Sequence, residues 1–322
     1  MTLSVASVDM RTRVGDVLLG APVMTASGTA GHGSELASYV DLSSLGAVVV
    51  KSVSVDPWPG NPAPRLLPLQ EGMLNSVGLQ NRGVAEWLRE ELPPLAATGA
   101  KVVASIWGFT CAEYHDAARA IADARKGSLP GVDAIVAVEA NISCPNVEDR
   151  RQMFAHSSGG VKEAVSAAVE GLGGHLPLWA KLSPNVTDIT EMAGAASAAG
   201  ASAVTAINTV MGMSIDPANG QARLGGGGGG LSGPAVHPVA VRAVYDCRAA
   251  FPALPIVGVG GVNTGEEAAE LIAAGADAVQ VGTATFADPR APARILAELS
   301  RWCAQHGVSS IDQLKGRAHD RR

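Results

Sequence analysis

The stretch AGADAV, residues 274–279, connects the end of a helical pattern to the start of a buried strand. Glycine is common just beyond the last turn of a helix, and the residues that follow it here form an apolar run. The same transition from a helix end through Gly-Ala to a strand recurs three times more, as LGAVVV at 45–50, TGAKVV at 98–103 and AGASAV at 199–204. This repetition predicts a chain built from successive helix and strand units.

Eight apolar strands alternate with helical patterns when the chain is followed outward from these stretches. We predict strands at 22–26, 47–51, 102–106, 134–141, 178–181, 203–207, 255–258 and 278–281. We predict helices at 34–40, 83–92, 112–126, 161–170, 188–199, 237–250, 265–274 and 291–305. Continuous apolar strands between helices indicate a parallel sheet covered on both faces, and eight such units close into a barrel. The prediction is one α/β domain over residues 1–322, a (β/α)8 TIM barrel, with a doubly wound open sheet as the alternative.

Three segments lie outside this alternation. The first part of the chain, on either side of Val14-Gly15-Asp16, predicts a short β-hairpin that plugs the barrel floor. The stretch PWPGNP at 57–62 and the six-glycine run at 225–230 are predicted to be long loops, with neither helix nor strand. Both follow strands, on the carboxyl-terminal face where barrels of this kind carry their active sites.

Composition excludes several classes of function. The net charge of −6, without a long basic run, offers no footprint for nucleic acid. The N-terminus lacks the apolar core of a signal peptide, and no apolar run approaches the ~20 residues that span a bilayer, so we expect a cytoplasmic protein without a membrane partner. The four cysteines are scattered and the seven histidines show no ligand spacing. Disulfides, a metal site and an iron–sulfur cluster on this chain are therefore disfavoured.

Polar residues and glycines stand where the predicted strands end, which is where a barrel places its active site. In chain order they are Ser27, Gly28, Lys51, Ser52, Ser105, Asn141, Ser143, Cys144, Lys181, Asn208, Thr209, Gly260, Gly261, Gly282 and Thr283. The glycine turns after the last two strands expose backbone N–H groups, and together they favour a phosphate-bearing ligand, although one such turn alone would more often be only a tight turn. The two lysines suit a carboxylate or an electron-rich ring, or extend to water.

Cys144 differs from the other cysteines in its position. It follows a buried strand and precedes Pro145, which places its thiol at the start of a loop facing the site. The remaining three, Cys111, Cys247 and Cys303, fall in or near helical patterns and are predicted to be inert. Neutral amides at Asn75, Asn141, Asn146 and Asn208, with the hydroxyl of Thr209, suit a flat, amide-rich ring such as a pyrimidine.

Together these motifs resemble the class 1 dihydroorotate dehydrogenases over residues 12 to 290, nearly the whole chain. The segments that carry the resemblance are 26–28, 50–52, NSVGLQN at 75–81, NISCPNV at 141–147, KLSPNVTD at 181–188, 207–209, GLSGP at 230–234 and 282–283. The family implies FMN-dependent oxidation of (S)-dihydroorotate to orotate in de novo pyrimidine (UMP) biosynthesis. A cysteine base, without an N-terminal membrane-associating extension, is typical of class 1. The stretch 72–81, with Met211-Gly212-Met213, is more similar to the NAD-linked class 1B catalytic subunits than to the fumarate-linked enzymes.

The resemblance also implies roles for individual residues. Cys144 would remove the C5 proton while a hydride passes from C6 to N5 of FMN. Substrate would be held by Lys51, Asn75, Ser76, Val77, Gly78, Leu79, Asn141, Asn208 and Thr209. FMN would be bound by Ser27, Lys51, Ser52, Ser105, Asn141, Lys181, Ile207, Gly233, Gly260, Gly261, Gly282 and Thr283. Ser105 stands where many members have asparagine, and Arg82 stands where proline is common.

Class 1 relatives are commonly homodimers, and the NAD-linked ones add a subunit that carries FAD and an iron–sulfur cluster, so both are expected partners. Residues 145–160 are predicted to form a lid that excludes water during turnover. Two other functions stay open. One is a related flavin barrel that acts on another dihydropyrimidine. The other is a catalytically silent barrel kept as a binding or scaffold subunit.

Overall fold

The computed structural model describes residues 4–143 and 154–320. Its strands are β1 (Thr12–Val14), β2 (Val17–Leu19), β3 (Val23–Thr25), β4 (Val48–Val49), β5 (Leu66–Leu69), β6 (Gly72–Asn75), β7 (Val102–Ile106), β8 (Ile135–Asn141), β9 (Leu178–Leu182), β10 (Ala203–Ala206), β11 (Val210–Gly212), β12 (Ile215–Asp216), β13 (Gln221–Ala222), β14 (Gly229–Ser232), β15 (Ile256–Val259) and β16 (Ala278–Val281). Eight of them form one sheet in the order β3-β16-β15-β10-β9-β8-β7-β4, and every pairing registered within it is parallel.

The two ends of the eight-stranded sheet meet. The Gly46 N–H donates to Val23 O at 2.8 Å, and the Thr25 N–H donates to Ala47 O at 3.3 Å. The sheet is therefore a barrel, as predicted, and the open doubly wound sheet is excluded. Gly46 is needed at this closure, because a Cβ atom there would lie 2.2 Å from the Ala21 carbonyl oxygen. The glycine of the repeated Gly-Ala signature thus also allows neighbouring segments to approach closely.

Helices cover the outside of the barrel. They are α1 (Val84–Glu86), α2 (Leu92–Ala96), α3 (Cys111–Lys126), α4 (Ser158–Leu172), α5 (Ile189–Ala198), α6 (His237–Ala250), α7 (Gly265–Ala274), α8 (Ala284–Ala287) and α9 (Ala291–Gln305), with a π-helical turn at Trp87–Glu91 between the first two. The predicted bounds are correct for α6, α7 and α9. Thr264 and Glu267 form a full capping box at the start of α7, which is why that start was visible in the sequence.

The predicted helix at 34–40 is wrong. Only a 3-10 turn forms there, at Glu35–Ser38. The Glu35 carboxylate accepts from the backbone N–H groups of His32 and Gly33 at 3.1 and 2.8 Å. These bonds fold the segment back on itself, and so short a segment cannot repay the cost of starting an α-helix.

The barrel floor is closed by the hairpin of β1 and β2, as predicted. Val14, Val17 and Leu19 pack in one buried cluster with interior residues of the barrel strands, among them Trp179. Above the opposite end lies a small antiparallel sheet in the order β11-β14-β6-β5. This end, where the barrel strands terminate at their carboxyl ends, is called the barrel mouth below.

The glycine run at 225–230 is not only a loop, contrary to the prediction. Gly229 and Gly230 belong to β14, which pairs with β6 and β11. The backbone ladder needs no side chain, so glycine can be accommodated where the neighbouring strands leave no space for one. In the described part of the chain, no helix is long and apolar enough to cross a membrane.

Candidate active site

Three serines from successive strand ends form a hydroxyl cluster at the barrel mouth. The Ser52 and Ser105 Oγ atoms lie 2.8 Å apart, and Ser27 Oγ lies 3.2 Å from each of them. Asn141 Nδ2 donates to Ser52 Oγ at 3.1 Å. Ser105 is fully buried, and its hydroxyl is hydrogen-bonded to those of Ser27 and Ser52.

Asn141 connects this cluster to the end of β10. Its Oδ1 atom accepts from Ser143 Oγ at 2.9 Å and from Asn208 Nδ2 at 3.3 Å, and Asn208 Nδ2 also donates to Ser143 Oγ at 2.5 Å. Asn208 Oδ1 accepts from the Thr209 N–H at 2.8 Å. The hydroxyl of Tyr114 anchors the Asn141 carbonyl at 2.8 Å. The predicted substrate residues of two strands are therefore joined in one network.

The two lysines reach the mouth from different strands. Lys51 follows β4 and is partly buried, and its backbone N–H donates to Gly31 O at 2.9 Å. Lys181 lies within β9 and is 5% exposed. Its ammonium nitrogen is 3.9 Å from Glu139 Oε1 inside the barrel. Lys181 is therefore a buried cation with a buried carboxylate beside it, and not a lysine extended into water.

The segment 75–79 is held by the proline-rich loop at 57–62. Asn61 Nδ2 donates to Ser76 Oγ at 2.9 Å, and the Asn61 N–H donates to Val77 O at 3.1 Å. Trp58 Nε1 donates to Gly78 O at 3.0 Å. Leu79 adopts a positive φ of 63°, a conformation that side-chain-bearing residues rarely take. The loop thus fixes a tight turn whose residues were predicted to hold substrate.

The glycine run at 225–230 packs closely against the predicted substrate residues Asn75, Ser76 and Thr209. A Cβ atom at Gly230 would lie 2.0 Å from Thr209 Oγ1, and one at Gly226 would lie 2.3 Å from Ser76 Oγ. At Gly229 it would meet Asn75 O at 2.5 Å. Asn75 Nδ2 in turn donates to Gly230 O at 3.2 Å. The sequence predicted a long loop here. The structure shows in addition that glycine is required at these positions, because the backbone packs directly on predicted substrate residues.

The predicted phosphate residues come together from three loops. A Cβ atom at Gly261 would lie 2.9 Å from Gly233 O, and one at Gly233 would lie 3.6 Å from Thr283 Cγ2. Within residues 4–143 and 154–320, the backbone N–H groups of Gly261, Gly282 and Thr283 donate no hydrogen bond. Backbone donors at a partly buried position need an acceptor. These three unpaired donors suit a phosphate, and at Gly261 the backbone is so crowded that a Cβ atom would not fit.

Cys144 lies outside the described residues, as does most of the predicted lid at 145–160. The other cysteines are placed as the sequence indicated. Cys247 and Cys303 are fully buried and Cys111 is partly buried. Burial raises the pKa of Cys247 to about 12 and raises the pKa of Cys111 and of Cys303. None of these three thiols is suited to act as a base at neutral pH.

Sequence reasoning did not single out Glu139 as a site residue, although it lies two residues before Asn141 on β8. Its carboxylate is fully buried, and its Oε2 atom accepts from Thr205 Oγ1 at 2.9 Å and from Gln280 Nε2 at 2.8 Å. The available signal was a glutamate within an otherwise apolar strand, since an acidic residue is rarely fully buried without partners.

Comparison with known proteins places the chain in a family. The family model described as dihydroorotate dehydrogenase matches residues 10–302. A Geobacter sp. (strain M21) protein is 42% identical over 96% of this chain and 97% of its own length. A Desulforudis audaxviator protein is 46% identical over 92% and 94%, and one from Alkaliphilus metalliredigens is 43% identical over 96% and 98%. All three are named dihydroorotate dehydrogenase B (NAD(+)), catalytic subunit. The resemblance predicted from the motifs is confirmed, and the chain belongs to the dihydroorotate dehydrogenase family, whose members are flavin-dependent oxidoreductases.

Proposed function

We propose that this protein oxidises (S)-dihydroorotate to orotate in de novo pyrimidine biosynthesis, with FMN as its flavin. The observation that carries the proposal is the continuous network from Ser27 through Ser52 and Asn141 to Asn208 at the barrel mouth. It offers neutral donors and acceptors beside a group of unpaired backbone N–H groups. A flat, amide-rich substrate and a phosphate-bearing flavin match these two parts.

The residues proposed to hold FMN form two groups. Its phosphate would accept from the loops that carry Gly233, Gly260, Gly261, Gly282 and Thr283. Its ring would contact Ser27, Lys51, Ser52, Ser105, Asn141, Lys181 and Ile207. When bound, FMN would supply the hydride acceptor of the reaction, and the positive charge of Lys181 would lie near the N1/O2 edge of the ring.

Substrate binding is assigned to Lys51, to residues 75–79, and to the network of Asn141, Asn208 and Thr209. The carboxylate of dihydroorotate suits the lysine ammonium, and its two carbonyls and ring N–H groups suit asparagine amides, which donate and accept. Cys144 is proposed as the base that takes the C5 proton, on the strength of the family resemblance. Tyr114 and Ser143 orient Asn141, so they act on substrate through it.

The electron acceptor is proposed to be NAD, reached through a second subunit that carries FAD and an iron–sulfur cluster. The relatives' name supports this, since it describes catalytic subunits of an NAD(+) enzyme. Fumarate is the alternative acceptor. We further propose that residues 1–322 act as one catalytic domain, in the cytoplasm, as a homodimer.

The test is the visible spectrum of the purified protein near 450 nm, recorded without oxygen before and after addition of dihydroorotate. We expect a yellow protein that bleaches, and acid release of FMN identified by its mass. A yellow protein that bleaches with dihydrouracil but not with dihydroorotate would show another dihydropyrimidine as substrate. A protein that takes up no flavin, or whose flavin no dihydropyrimidine reduces, would show a silent barrel.

The close approach of the glycine run to Thr209 makes a specific prediction. Gly230→Ala places a methyl group against Thr209 Oγ1 and should displace that hydroxyl. Loss of one substrate hydrogen bond, about 1.4 kcal/mol, should raise KM for dihydroorotate about tenfold. The matched control is Gly228→Ala, where a Cβ atom meets only Gly212 O, at 3.4 Å. Steady-state kinetics of the two variants would contradict the assignment of Thr209 if their KM values were equal.

A further inference from the structure

Glu139 places a carboxylate in the closed interior of the barrel, where its exposed fraction is 0%. On the same strand, Asn141 lies nearer the mouth and Ala137 lies in the apolar floor cluster with Trp179 and Ala278. Glu139 therefore lies at the boundary between an apolar floor and a polar mouth. An ionised carboxylate at such a position requires donors and a nearby positive charge.

The two carboxylate oxygens have different surroundings. Oε2 accepts from Thr205 Oγ1 and from Gln280 Nε2, at 2.9 and 2.8 Å, so two neutral donors fix its orientation. Oε1 accepts no hydrogen bond from the described residues, and Lys181 Nζ lies 3.9 Å from it. Two donors hold one carboxylate oxygen, and the ammonium lies near the other. Glu139 and Lys181 thus form a buried pair of opposite charges.

Under the proposed function, on which this inference rests, the Lys181 ammonium also contacts the flavin. Lys181 is assigned to the N1/O2 edge of the flavin, where a positive charge favours the reduced ring. A lysine alone at that edge would hold electrons on the flavin. The Glu139 carboxylate, 3.9 Å from the Lys181 ammonium, partly offsets this positive charge. Two buried charges interact strongly because little water lies between them.

We propose that Glu139 is a positioning residue that holds the Lys181 ammonium and, by its negative charge, lowers the reduction potential of the bound flavin. When FMN is bound, hydride transfer from C6 of the substrate would add two electrons and negative charge to the ring. The Lys181 ammonium would stabilise that charge and the Glu139 carboxylate would oppose it. The reduced flavin then yields its electrons more readily. This suits an enzyme whose relatives are named for NAD(+), a weak oxidant that cannot reoxidise a strongly stabilised reduced flavin.

The experiment compares the two-electron reduction potential of the flavin in the wild-type protein, Glu139→Gln and Thr205→Val. Glu139→Gln keeps the shape and removes the charge. We expect its reduction equilibrium to shift at least tenfold toward the reduced flavin, which is about 30 mV more positive for a two-electron couple. Thr205→Val removes a hydrogen bond from the same buried group without changing charge. We expect its equilibrium to stay within threefold of wild type.

The possible outcomes separate this inference from the proposed function. A Glu139→Gln potential equal to that of wild type, or a shift matched by Thr205→Val, overturns the role of Glu139 and leaves the proposed function standing. A wild-type protein that takes up no flavin overturns both. If Glu139→Gln does not fold or bind flavin, Glu139→Asp, whose carboxylate lies one methylene farther from Lys181, should shift the potential in the same direction. An unchanged potential in that variant overturns the inference.

Discussion

Cys144→Ala is expected to lower kcat for dihydroorotate oxidation by about 10²–10⁴-fold, the usual contribution of a positioned base. The flavin should stay bound, because the residues proposed to hold it do not include the thiol. The measurements are kcat by steady-state kinetics and flavin content by absorbance. Cys111→Ala is the matched control, since burial raises the pKa of the Cys111 thiol and it serves no proposed step.

The pH dependence of the reaction gives a second readout of the same assignment. A thiol with its ordinary pKa of about 8.5 is mostly protonated at neutral pH, so activity should rise with pH through that range. Cys144→Ser should retain a small activity that rises only at still higher pH, because a hydroxyl loses its proton less readily than a thiol. Substantial turnover by Cys144→Ala, or identical pH profiles for the wild type and Cys144→Ser, would rule out this cysteine as the base.

Asp277→Ala is expected to lower the free energy of unfolding by about 3–5 kcal/mol, the usual cost of removing one partner of a buried ion pair. Asp277 is 2% exposed, and its Oδ2 atom accepts from Arg248 Nη2 at 2.8 Å and from the Ile256 N–H at 2.7 Å. The Lys315 ammonium contacts its other oxygen. The substitution would leave the Arg248 guanidinium buried without its carboxylate.

Urea unfolding, followed by circular dichroism, would measure this loss. The matched control is Asp246→Ala, which breaks the Arg242–Asp246 pair on α6, where the arginine side chain is 77% exposed. Exposed pairs contribute little, so the control should change the midpoint only slightly. Equal midpoints for the two variants would show that the Asp277 carboxylate does not hold the C-terminal segment around Lys315 to the barrel.

The barrel itself could be predicted because its signals are local. A buried parallel strand is apolar throughout, a helix ends at glycine, and both signs lie within a few residues of the element that they mark. The helix prediction at 34–40 was wrong although the contacts that replace it are also local. The Glu35 carboxylate accepts from backbone N–H groups two and three residues earlier, and a pattern of apolar residues does not record such side-chain contacts. The location of strand ends then predicted which polar residues would meet at the mouth.

The sequence by itself determined the eight repeated units, the barrel, and a set of candidate site residues that share one end of it. Only the tertiary structure decided which of them touch and at what distance. Gln280 and Glu139 are 141 positions apart in sequence yet bonded in the barrel interior, and Gly230 lies against Thr209 from another segment. Closure of the barrel sets the first of these distances, because it turns side chains of β8 and β16 into one shared interior. The small sheet at the mouth sets the second, because Gly230 belongs to β14. A pattern read along the chain contains no information about such contacts.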